Sequence, residues 1–255
     1  MAGKIISINS VKGGVGKTTL AISLAGIYSL MKKKVLLIDL DLYSGGISTY
    51  LDINNKKDIF MLIDSISNNR FTSLNDYIVN YNKNIDVIPS VKDPRLATRI
   101  DSKYIKAVFK LAKTEYDIVI VDTNHALDET NLVVLDNVDT SLYVITNDIV
   151  DLKNMKSLVS IFKDNEKTNY LTILNNSINQ RTDYLSLFDI RTIIRTNIDY
   201  TISKSFYIKN INKYLLAGDI LTLNNSINNT YQRDINNLKK LATNILNMEG
   251  HDSDE

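Results

Sequence analysis

Short apolar runs alternate with longer segments of helical periodicity along most of the chain. The apolar runs predict buried strands at Ile5–Asn9, Val35–Asp39, Ile85–Ile88, Ile118–Asp122, Ser141–Thr146 and Leu171–Asn175, with a weaker one near Ile198–Ile202. Apolar residues at three- and four-residue spacings predict helices at Lys17–Lys33, Ser102–Lys113, Leu152–Lys163, Tyr184–Thr196 and Asn225–Asn247. Almost continuously apolar strands need cover on both faces of their sheet. The pattern therefore predicts an α/β fold, a doubly wound and mostly parallel sheet with helices on both faces.

Composition and charge narrow the class of protein. Of the 255 residues 44% are hydrophobic, only two are prolines, and no linker or internal repeat is visible. We therefore expect one domain over residues 1–248, with a disordered tail at 249–255. A net charge of +1 argues against an obligate polyanion binder but leaves local basic patches open. The chain has no cysteine, which excludes disulfides and thiolate metal sites and favours the cytoplasm.

The last predicted helix has an apolar face formed by Ile235, Leu238, Leu241, Ile245 and Met248. Such a stripe is expected of a surface helix that packs on its own sheet, and also of a helix that lies on a membrane. The basic content of the segment is modest, so we favour packing. No run approaches the ~20 apolar residues of a membrane span, and the N-terminus does not resemble a secretory signal. We expect no stable membrane insertion.

The stretch "VKGGVGKTT" (Val11–Thr19) follows the first predicted strand and opens the first helix. Glycines there let the backbone wrap around a phosphate, and the helix N-terminus adds its dipole. A lysine in this context reaches the β- and γ-phosphates of a nucleotide, and the next hydroxyl ligates magnesium. The candidate nucleotide-binding residues are Gly13, Gly14, Val15, Gly16, Lys17, Thr18 and Thr19. The phosphate-loop pattern wants glycine where Val11 stands.

Carboxylates follow two other predicted strands. Asp39 and Asp41 lie at the end of the second strand, and "YDIVIVD" ends an apolar strand in Asp122. Two carboxylates one residue apart at the end of a strand, as in Asp39 and Asp41, are most easily explained by a cation, although an ordinary solvated strand end is the alternative. The apolar strand that ends in Asp122 resembles the Walker B motif, whose aspartate holds magnesium. With Thr18 from the loop, Asp39 and Asp122 are the candidate magnesium residues.

The segment from Lys12 to Thr18 matches K-G-G-x-G-K-[ST] at every position and resembles the deviant Walker A loop of the MinD/ParA superfamily. The resemblance implies ATP and Mg²⁺ as cofactors, slow hydrolysis and a homodimer in the ATP-bound state. It implies that Lys12 reaches phosphates bound by the other subunit, so Lys12 is expected to have no partner within one chain. With Lys17 and Asp41 it forms the implied catalytic set.

The same resemblance assigns further roles. Asp39 is expected to organise magnesium and its waters, Asp41 to orient the attacking water, and Asp122 to hold magnesium through water. Asn175 resembles the asparagine that contacts adenine in this superfamily, although a plain turn at the end of a strand is the alternative.

Within the superfamily the chain resembles the CpaE/TadZ pilus-assembly branch most. The matching positions are Leu135–Asp136, Asp139, Thr146, Asp148–Ile149 and Leu152–Asn154. This implies that the switch positions a pilus or secretion apparatus, with recruitment from the cytoplasm to the pole or the inner face of the membrane. The chain is expected to correspond to the ATPase domain, without the receiver-like domain that usually precedes it in that branch.

Two alternative functions remain open. Asn124 and His125 replace the Pro-Pro or Pro-Ala pair that usually follows the Walker B aspartate, so a scaffold that barely hydrolyses ATP is one alternative. His125 itself could act as a base, but a surface or interface histidine is favoured. The other alternative is a ParA-like partition protein that binds DNA, for which the candidate basic patch is Arg181, Arg191, Arg195, Lys204 and Lys209. The net charge disfavours it.

Overall fold

The computed structural model describes residues 3–54, 56–178, 185–206, 208 and 211–248. Its strands are β1 (Lys4–Asn9), β2 (Val35–Leu40), β3 (Val79–Asn82), β4 (Ile85–Ile88), β5 (Ile118–Thr123), β6 (Thr140–Ile145), β7 (Tyr170–Asn175) and β8 (Tyr200–Ile202). Its α-helices are α1 (Lys17–Leu30), α2 (Ile47–Tyr50), α3 (Ile59–Ser67), α4 (Ile105–Glu115), α5 (Glu129–Asn137), α6 (Ile149–Asp164), α7 (Leu187–Ile194), α8 (Ile211–Leu216), α9 (Asn225–Thr230) and α10 (Gln232–Asn247).

The strands form one sheet in the order β3-β4-β2-β5-β1-β6-β7-β8. All neighbouring strands are parallel except β3 and β4, which pair antiparallel. The predicted doubly wound, mostly parallel sheet is therefore confirmed. The sequence analysis missed the edge strand β3, because "VNYN" carries no apolar run and is only half-buried.

Alternate residues of the strands contribute to cores on opposite faces of the sheet. Ile6 and Ile8 of β1 pack with residues of α1 and α10. Ile5, whose side chain lies on the opposite face of the sheet, packs with residues of α3 and α4. Each fully buried Leu or Ile contributes roughly 1.5–3 kcal/mol to folding, so burial on both faces is the main source of stability for this sheet.

The ends of several helices differ from the predicted ones. Helix α1 ends at Leu30 rather than Lys33, since Lys32 adopts a left-handed backbone with φ 63°. The single predicted helix at Asn225–Asn247 is wrong, because Tyr231 leaves helical geometry and separates α9 from α10. The Tyr231 ring packs edge-on against Phe206, with 5.6 Å between ring centroids. Tertiary packing thus overrides the local helical pattern at this point.

Other segments were missed or lie outside the described residues. The sequence analysis did not predict α3 or α5, both nine-residue helices. The predicted helix at Tyr184–Thr196 is observed as α7, which begins after a capping box formed by Ser186 and Asp189. Tyr184 and the tail at 249–255 lie outside the described residues.

The apolar face of the last helix packs against the sheet. Ile235, Leu238, Leu241 and Ile245 are all buried there, and Met248 is half-buried. This confirms the packing interpretation of that stripe, because those side chains already have partners within the chain. Among the described residues, no helix combines the length and apolar character needed to cross a membrane.

The sheet brings the candidate residues together at one edge. The carboxyl ends of β2, β5 and β1 are neighbours, and those of β6 and β7 follow on the same side. In open parallel sheets of this kind, ligands bind in the crevice outside the carboxyl ends of the strands.

Candidate nucleotide-binding site

A cavity of about 530 Å³ opens at this edge of the sheet. One end of it is bounded by the glycine loop that follows β1, which comprises residues 10–16, and the other end is apolar. The predicted site residues that line it are Gly13, Gly14, Gly16, Lys17, Thr18, Thr19, Asp41 and Asn175. Val15 is not among the lining residues, since its side chain is buried in the core. Any contact of Val15 with a ligand would therefore come from its backbone.

The backbone of the glycine loop has the shape of an anion cradle. Gly14 and Gly16 adopt left-handed conformations with φ 75° and φ 95°, which other residues rarely adopt. A Cβ on Gly16 would also come within 2.8 Å of the Asn175 amide nitrogen. Helix α1 begins directly after Gly16, with no side chain capping its N-terminus. The free N–H groups of its first turn are thus available to an anion.

Lys17 is buried beneath the loop. Its Nζ donates a hydrogen bond to Ser10 Oγ at 3.1 Å. Burial lowers the pKa of Lys17, while the charges of Asp122, Asp41 and Asp151 raise it. An ammonium with a single neutral hydrogen-bond acceptor among the described residues is poorly satisfied, and a phosphate would supply the missing acceptors.

Thr18 and Asp122 meet below the cavity. Thr18 Oγ1 donates to Asp122 Oδ2 at 2.6 Å, whereas Asp122 Oδ1 is buried with no hydrogen-bond partner among the described residues. Burial raises the pKa of Asp122 to about 7, against the opposing effects of Thr18 and Lys17. A buried carboxylate with an orphan oxygen beside a hydroxyl fits magnesium, which prefers oxygen ligands and lowers the cost of such a charge.

Asp39 lies beside Asp122 on the adjacent strand, and the two residues pair in register. Its Oδ1 accepts the N–H of Asp41 at 3.1 Å and its Oδ2 accepts the N–H of Ile47 at 3.0 Å. Burial raises the pKa of Asp39 well above its usual range, and the charge of Asp122 adds to this. Asp39 therefore anchors the segment 41–47 over the cation position.

Asp41 is half-buried at the wall of the cavity. Its Oδ1 accepts the N–H of Ser44 at 3.2 Å, and Ser90 Oγ donates to its backbone oxygen at 3.0 Å. One carboxylate oxygen remains without a hydrogen bond from the described residues. Of the two aspartates after β2, it is Asp41 that faces the ligand space, as the expected water-orienting role requires.

Lys12 has a partner within its own chain, so the expectation that it lacks one is wrong. Its Nζ lies 3.1 Å from Asp148 Oδ2, just before α6. The spacing along the chain gave no sign of this contact, because β6 carries Asp148 to the same edge of the sheet only in the folded protein. Asp148 was predicted only as a position that matches the pilus-assembly branch.

Asn175 lies next to the loop, where most of its hydrogen-bonding capacity is used. Its Nδ2 donates to Val15 O at 3.0 Å, and its Oδ1 accepts both the N–H and the Oγ–H of Ser177. Only one N–H of the amide remains for a ligand. The contact with Val15 makes Asn175 a brace of the glycine loop, which the sequence analysis did not foresee.

The two residues that replace the usual prolines have distinct environments. Asn124 is buried and takes part in a side-chain network with Asp128 and Asn131. His125 is exposed at the rim of the cavity, with its ring near Gly13. Within residues 3–54, 56–178, 185–206, 208 and 211–248, no three His, Cys, Asp or Glu side chains cluster as a metal site. A magnesium ion here would thus depend on phosphate and water ligands as well.

The proposed basic patch is only partly described. Arg191 and Arg195 are exposed on or next to α7, and Lys204 is half-buried. Arg181 and Lys209 lie outside the described residues.

Known proteins resemble this chain in sequence. A family model described as an AAA domain (AAA_31) matches residues 3–180. The sporulation initiation inhibitor protein Soj of Bacillus subtilis (strain 168) is 25% identical over 210 residues, which cover 80% of this chain and 80% of Soj.

Two solved structures share the fold. A ParA family ATPase from Chlorobium tepidum TLS has a TM-score of 0.78 at 22% identity, over 95% of this chain and 99% of that one. The septum site-determining protein MinD from Pyrococcus horikoshii OT3, complexed with Mg-ADP, has a TM-score of 0.76 at 21% identity, over 95% and 96%. The chain belongs to the AAA_31 family and, with these relatives, to the MinD/ParA superfamily of P-loop ATPases.

Proposed function

We propose that this protein binds ATP with magnesium in the cavity at its glycine loop and hydrolyses it slowly, as a molecular switch. The observation that carries the proposal is the bond from Thr18 to Asp122, with the orphan Asp122 Oδ1 and the poorly satisfied Lys17 beside it. Titration calorimetry with ATP tests it directly. Binding is expected with Mg²⁺ and is expected to weaken strongly in EDTA; no binding in either condition would refute the proposal.

Each site residue has a separate task in this proposal. The backbone of the glycine loop holds the phosphates, and Lys17 neutralises charge on the β- and γ-phosphates. Thr18 and, through water, Asp122 would hold magnesium, and Asp39 would organise the ion and its waters; when bound, magnesium would neutralise the charge that develops during phosphoryl transfer. Asp39 keeps the segment 41–47 in place, and Asp41 orients the attacking water. None of these residues acts as a covalent nucleophile, since positioning and charge neutralisation suffice.

The ATP-bound state is proposed to be a homodimer of the deviant Walker A type. Lys12 would leave Asp148 and neutralise phosphate charge on the facing subunit. Both side chains of the ion pair are substantially exposed, at 42% and 38%. Exposed pairs contribute only about 0–1 kcal/mol, so exchange of one carboxylate for a triphosphate is favourable.

The cellular role we propose is the positioning or assembly of a pilus or secretion apparatus, with recruitment from the cytoplasm to the pole or inner face of the membrane. Its support is the resemblance of residues 135–154 to the CpaE/TadZ branch. Two of those residues already have structural tasks: Asp139 accepts the Ile5 N–H and pairs with Lys113, and Asp148 caps α6. If the proposed cellular role is correct, deletion of the gene should abolish pili or secretion while DNA inheritance stays normal.

ParA-like DNA partition is the second candidate, and the similarity to a ParA family ATPase favours it. Exposed Arg191 and Arg195 would contribute to the DNA contact. Binding to plasmid DNA in the presence of ATP, measured as a function of salt concentration, separates the two roles. Strong ATP-dependent binding at physiological salt would favour partition over pilus assembly.

A scaffold that binds ATP with little hydrolysis is the remaining alternative. The observation that keeps it open is the replacement of the usual prolines by Asn124 and His125. Turnover measured separately from nucleotide affinity decides this point. Tight ATP binding with no phosphate release above the level of the Asp41→Ala variant would favour the scaffold.

A further inference from the structure

Basic side chains are concentrated on the surface around the starts of α3 and α4. Residues 92–106 contain five Lys and Arg and only two Asp, although the whole chain carries a net charge of +1. The turn before α3 adds two more lysines. The members of this α3–α4 basic surface are all exposed, and they are Lys56, Lys57, Lys92, Arg95, Arg99, Lys103 and Lys106. Such a concentration of one sign of charge attracts an anionic partner.

Two contacts bring the segments of this surface together. The backbone N–H of Lys92 donates to Asp58 Oδ2 at 3.4 Å, and the Arg99 guanidinium carbon lies 5.3 Å from the centre of the Phe60 ring. Asp58 is buried and also caps α3, and Phe60 lies in the first turn of that helix. The basic residues before α3 and those before α4 therefore form one continuous surface. Glu129 of α5 lies at its border.

The two aspartates within the surface neutralise only part of its charge. Asp93 Oδ2 lies 2.6 Å from Arg95 Nη2, and Asp101 Oδ2 lies 2.7 Å from Lys103 Nζ. Each aspartate is thus paired with a basic residue two positions further along the chain. Basic members of the surface without an ion pair among the described residues are Lys56, Lys92, Arg99 and Lys106. Their charge is available to an external anion.

Apolar side chains lie between the basic ones. Met61, in the first turn of α3, is 44% exposed, and Leu96 and Tyr104 are half-buried. The Nζ of Lys103 lies 5.0 Å from the centre of the Tyr104 ring. A lipid headgroup layer accommodates both kinds of side chain, because basic groups meet phosphates there while apolar and tyrosine side chains reach the acyl boundary. A DNA duplex offers no such apolar boundary beside its phosphates, so the mixture favours lipid.

We propose that the α3–α4 basic surface binds the protein to the face of an anionic lipid membrane. Clusters of about four to eight Lys and Arg on an amphipathic helix are typical of binding to anionic headgroups. This inference deepens the recruitment to the membrane proposed above and rests on it for its cellular setting. The contact does not require α10 to leave the core, where its apolar face is buried. It is peripheral and electrostatic, and therefore sensitive to salt.

Co-sedimentation of the full chain with vesicles tests the inference. The unmodified protein should bind vesicles of phosphatidylglycerol and phosphatidylcholine in equal amounts at about 0.1 M salt, and should be released at about 1 M salt. Lys92→Gln combined with Lys106→Gln removes two charges and should weaken binding at least about tenfold. Lys153→Gln combined with Lys156→Gln is the matched control, because it removes the same charge from exposed positions on α6. The control should change binding less than about twofold.

Other outcomes would overturn the inference. No vesicle binding by the unmodified protein, equal binding to phosphatidylcholine alone, or an equal loss in both double variants would mean that this surface is not a membrane site. Tighter binding to duplex DNA than to vesicles, lost in Lys92→Gln with Lys106→Gln, would assign the surface to nucleic acid instead.

ATP titration separates this inference from the nucleotide site. Both double variants should keep the melting temperature and the ATP affinity of the unmodified protein, which shows that their fold is intact. Vesicle binding without ATP binding would refute the nucleotide site and leave the membrane site standing. Vesicle binding in a protein whose gene deletion leaves pili and secretion intact would refute the cellular role alone. ATP binding without vesicle binding would refute the membrane site alone.

Discussion

Lys12 and Asp148 form an ion pair between the glycine loop and the start of α6, with 3.1 Å between Nζ and Oδ2. The other oxygen of Asp148 accepts the N–H groups of Val150 and Asp151 and so caps the helix. The bond from Asp151, followed by that from Lys12, lowers the pKa of Asp148. One carboxylate thus begins a helix and holds the lysine that we expect to contact ATP on a second subunit. If Lys12 moved to a second subunit, the N-cap of α6 would lose its ion pair with the glycine loop.

Replacing Asp148 with Asn should make ATP-dependent dimerisation easier. Asn still caps a helix but lacks the charge that holds Lys12. Because an exposed ion pair contributes about 0–1 kcal/mol, the ATP concentration for half-maximal dimer formation should fall by up to about fivefold. Analytical ultracentrifugation measures this, with Asp164→Asn at the other end of α6 as the control. Weaker dimerisation in Asp148→Asn would mean that Asp148 supports the dimer instead.

Replacing Lys17 with Ala should remove the charge that faces the β- and γ-phosphates. We expect turnover to fall about 10²–10³-fold, equivalent to roughly 2.7–4 kcal/mol of transition-state stabilisation. Phosphate release and ATP titration measure the two effects separately. Lys110→Ala, on the exposed side of α4, is the control and should behave as the unmodified protein does. Normal affinity and turnover in Lys17→Ala would remove Lys17 from the site.

Replacing Asp41 with Ala should abolish turnover and leave ATP bound. Among the described residues the side chain accepts one hydrogen bond, from the Ser44 N–H, so its loss should leave the fold intact. Its expected partner in catalysis is the attacking water and not the nucleotide. Asp164→Ala provides an exposed carboxylate as the control. If Asp41→Ala hydrolyses ATP normally, the water is oriented by another group, and His125 is the next residue to test.

Asp122, beside Asp39 whose pKa burial also raises, should make the nucleotide-free protein less stable as pH rises from about 4 to about 7. Burial raises the pKa of Asp122 to about 7, so between these values the native state keeps a proton that the unfolded chain has released. Below and above this pH range, Asp122 does not make the stability depend on pH. Asp122→Asn should flatten the decline and raise the melting temperature at pH 8, by roughly 2–4 °C per kcal/mol. If the melting temperature of Asp122→Asn falls with rising pH as steeply as that of the unmodified protein, the assignment is contradicted.

The sheet could be predicted from the sequence because its strands are buried on both faces. Runs such as "VLLID" and "IVIVD" are apolar up to their last residue. They can therefore be recognised as strands without knowing which face of the sheet is covered. The glycine loop and the three aspartates could be predicted as well, since each follows directly from the end of such a strand. The polar edge strand β3 has no such signal. Its pairing depends on β4, which only the folded sheet provides.

The contacts between distant segments could not be predicted. Asp148 and Lys12 lie on loops after different strands, and nothing in either segment indicates an ion pair. Asn175 was expected to contact adenine, but its hydrogen bond to Val15 O depends on the close approach of two loops. The break at Tyr231 likewise depends on Phe206 from another part of the chain. In each case tertiary packing, and not local pattern, determines the contact.

The central claim is that ATP converts this protein into a dimer through Lys12. Light scattering on the Asp41→Ala background, with ATP, with ADP and without nucleotide, tests it most directly, because ATP then persists during the measurement. We predict a dimer with ATP alone, and a monomer under all three conditions once Lys12→Ala is added, with much of the ATP affinity retained. If the Asp41→Ala protein with Lys12 intact is a monomer in every condition, or a dimer with or without nucleotide, the account is contradicted.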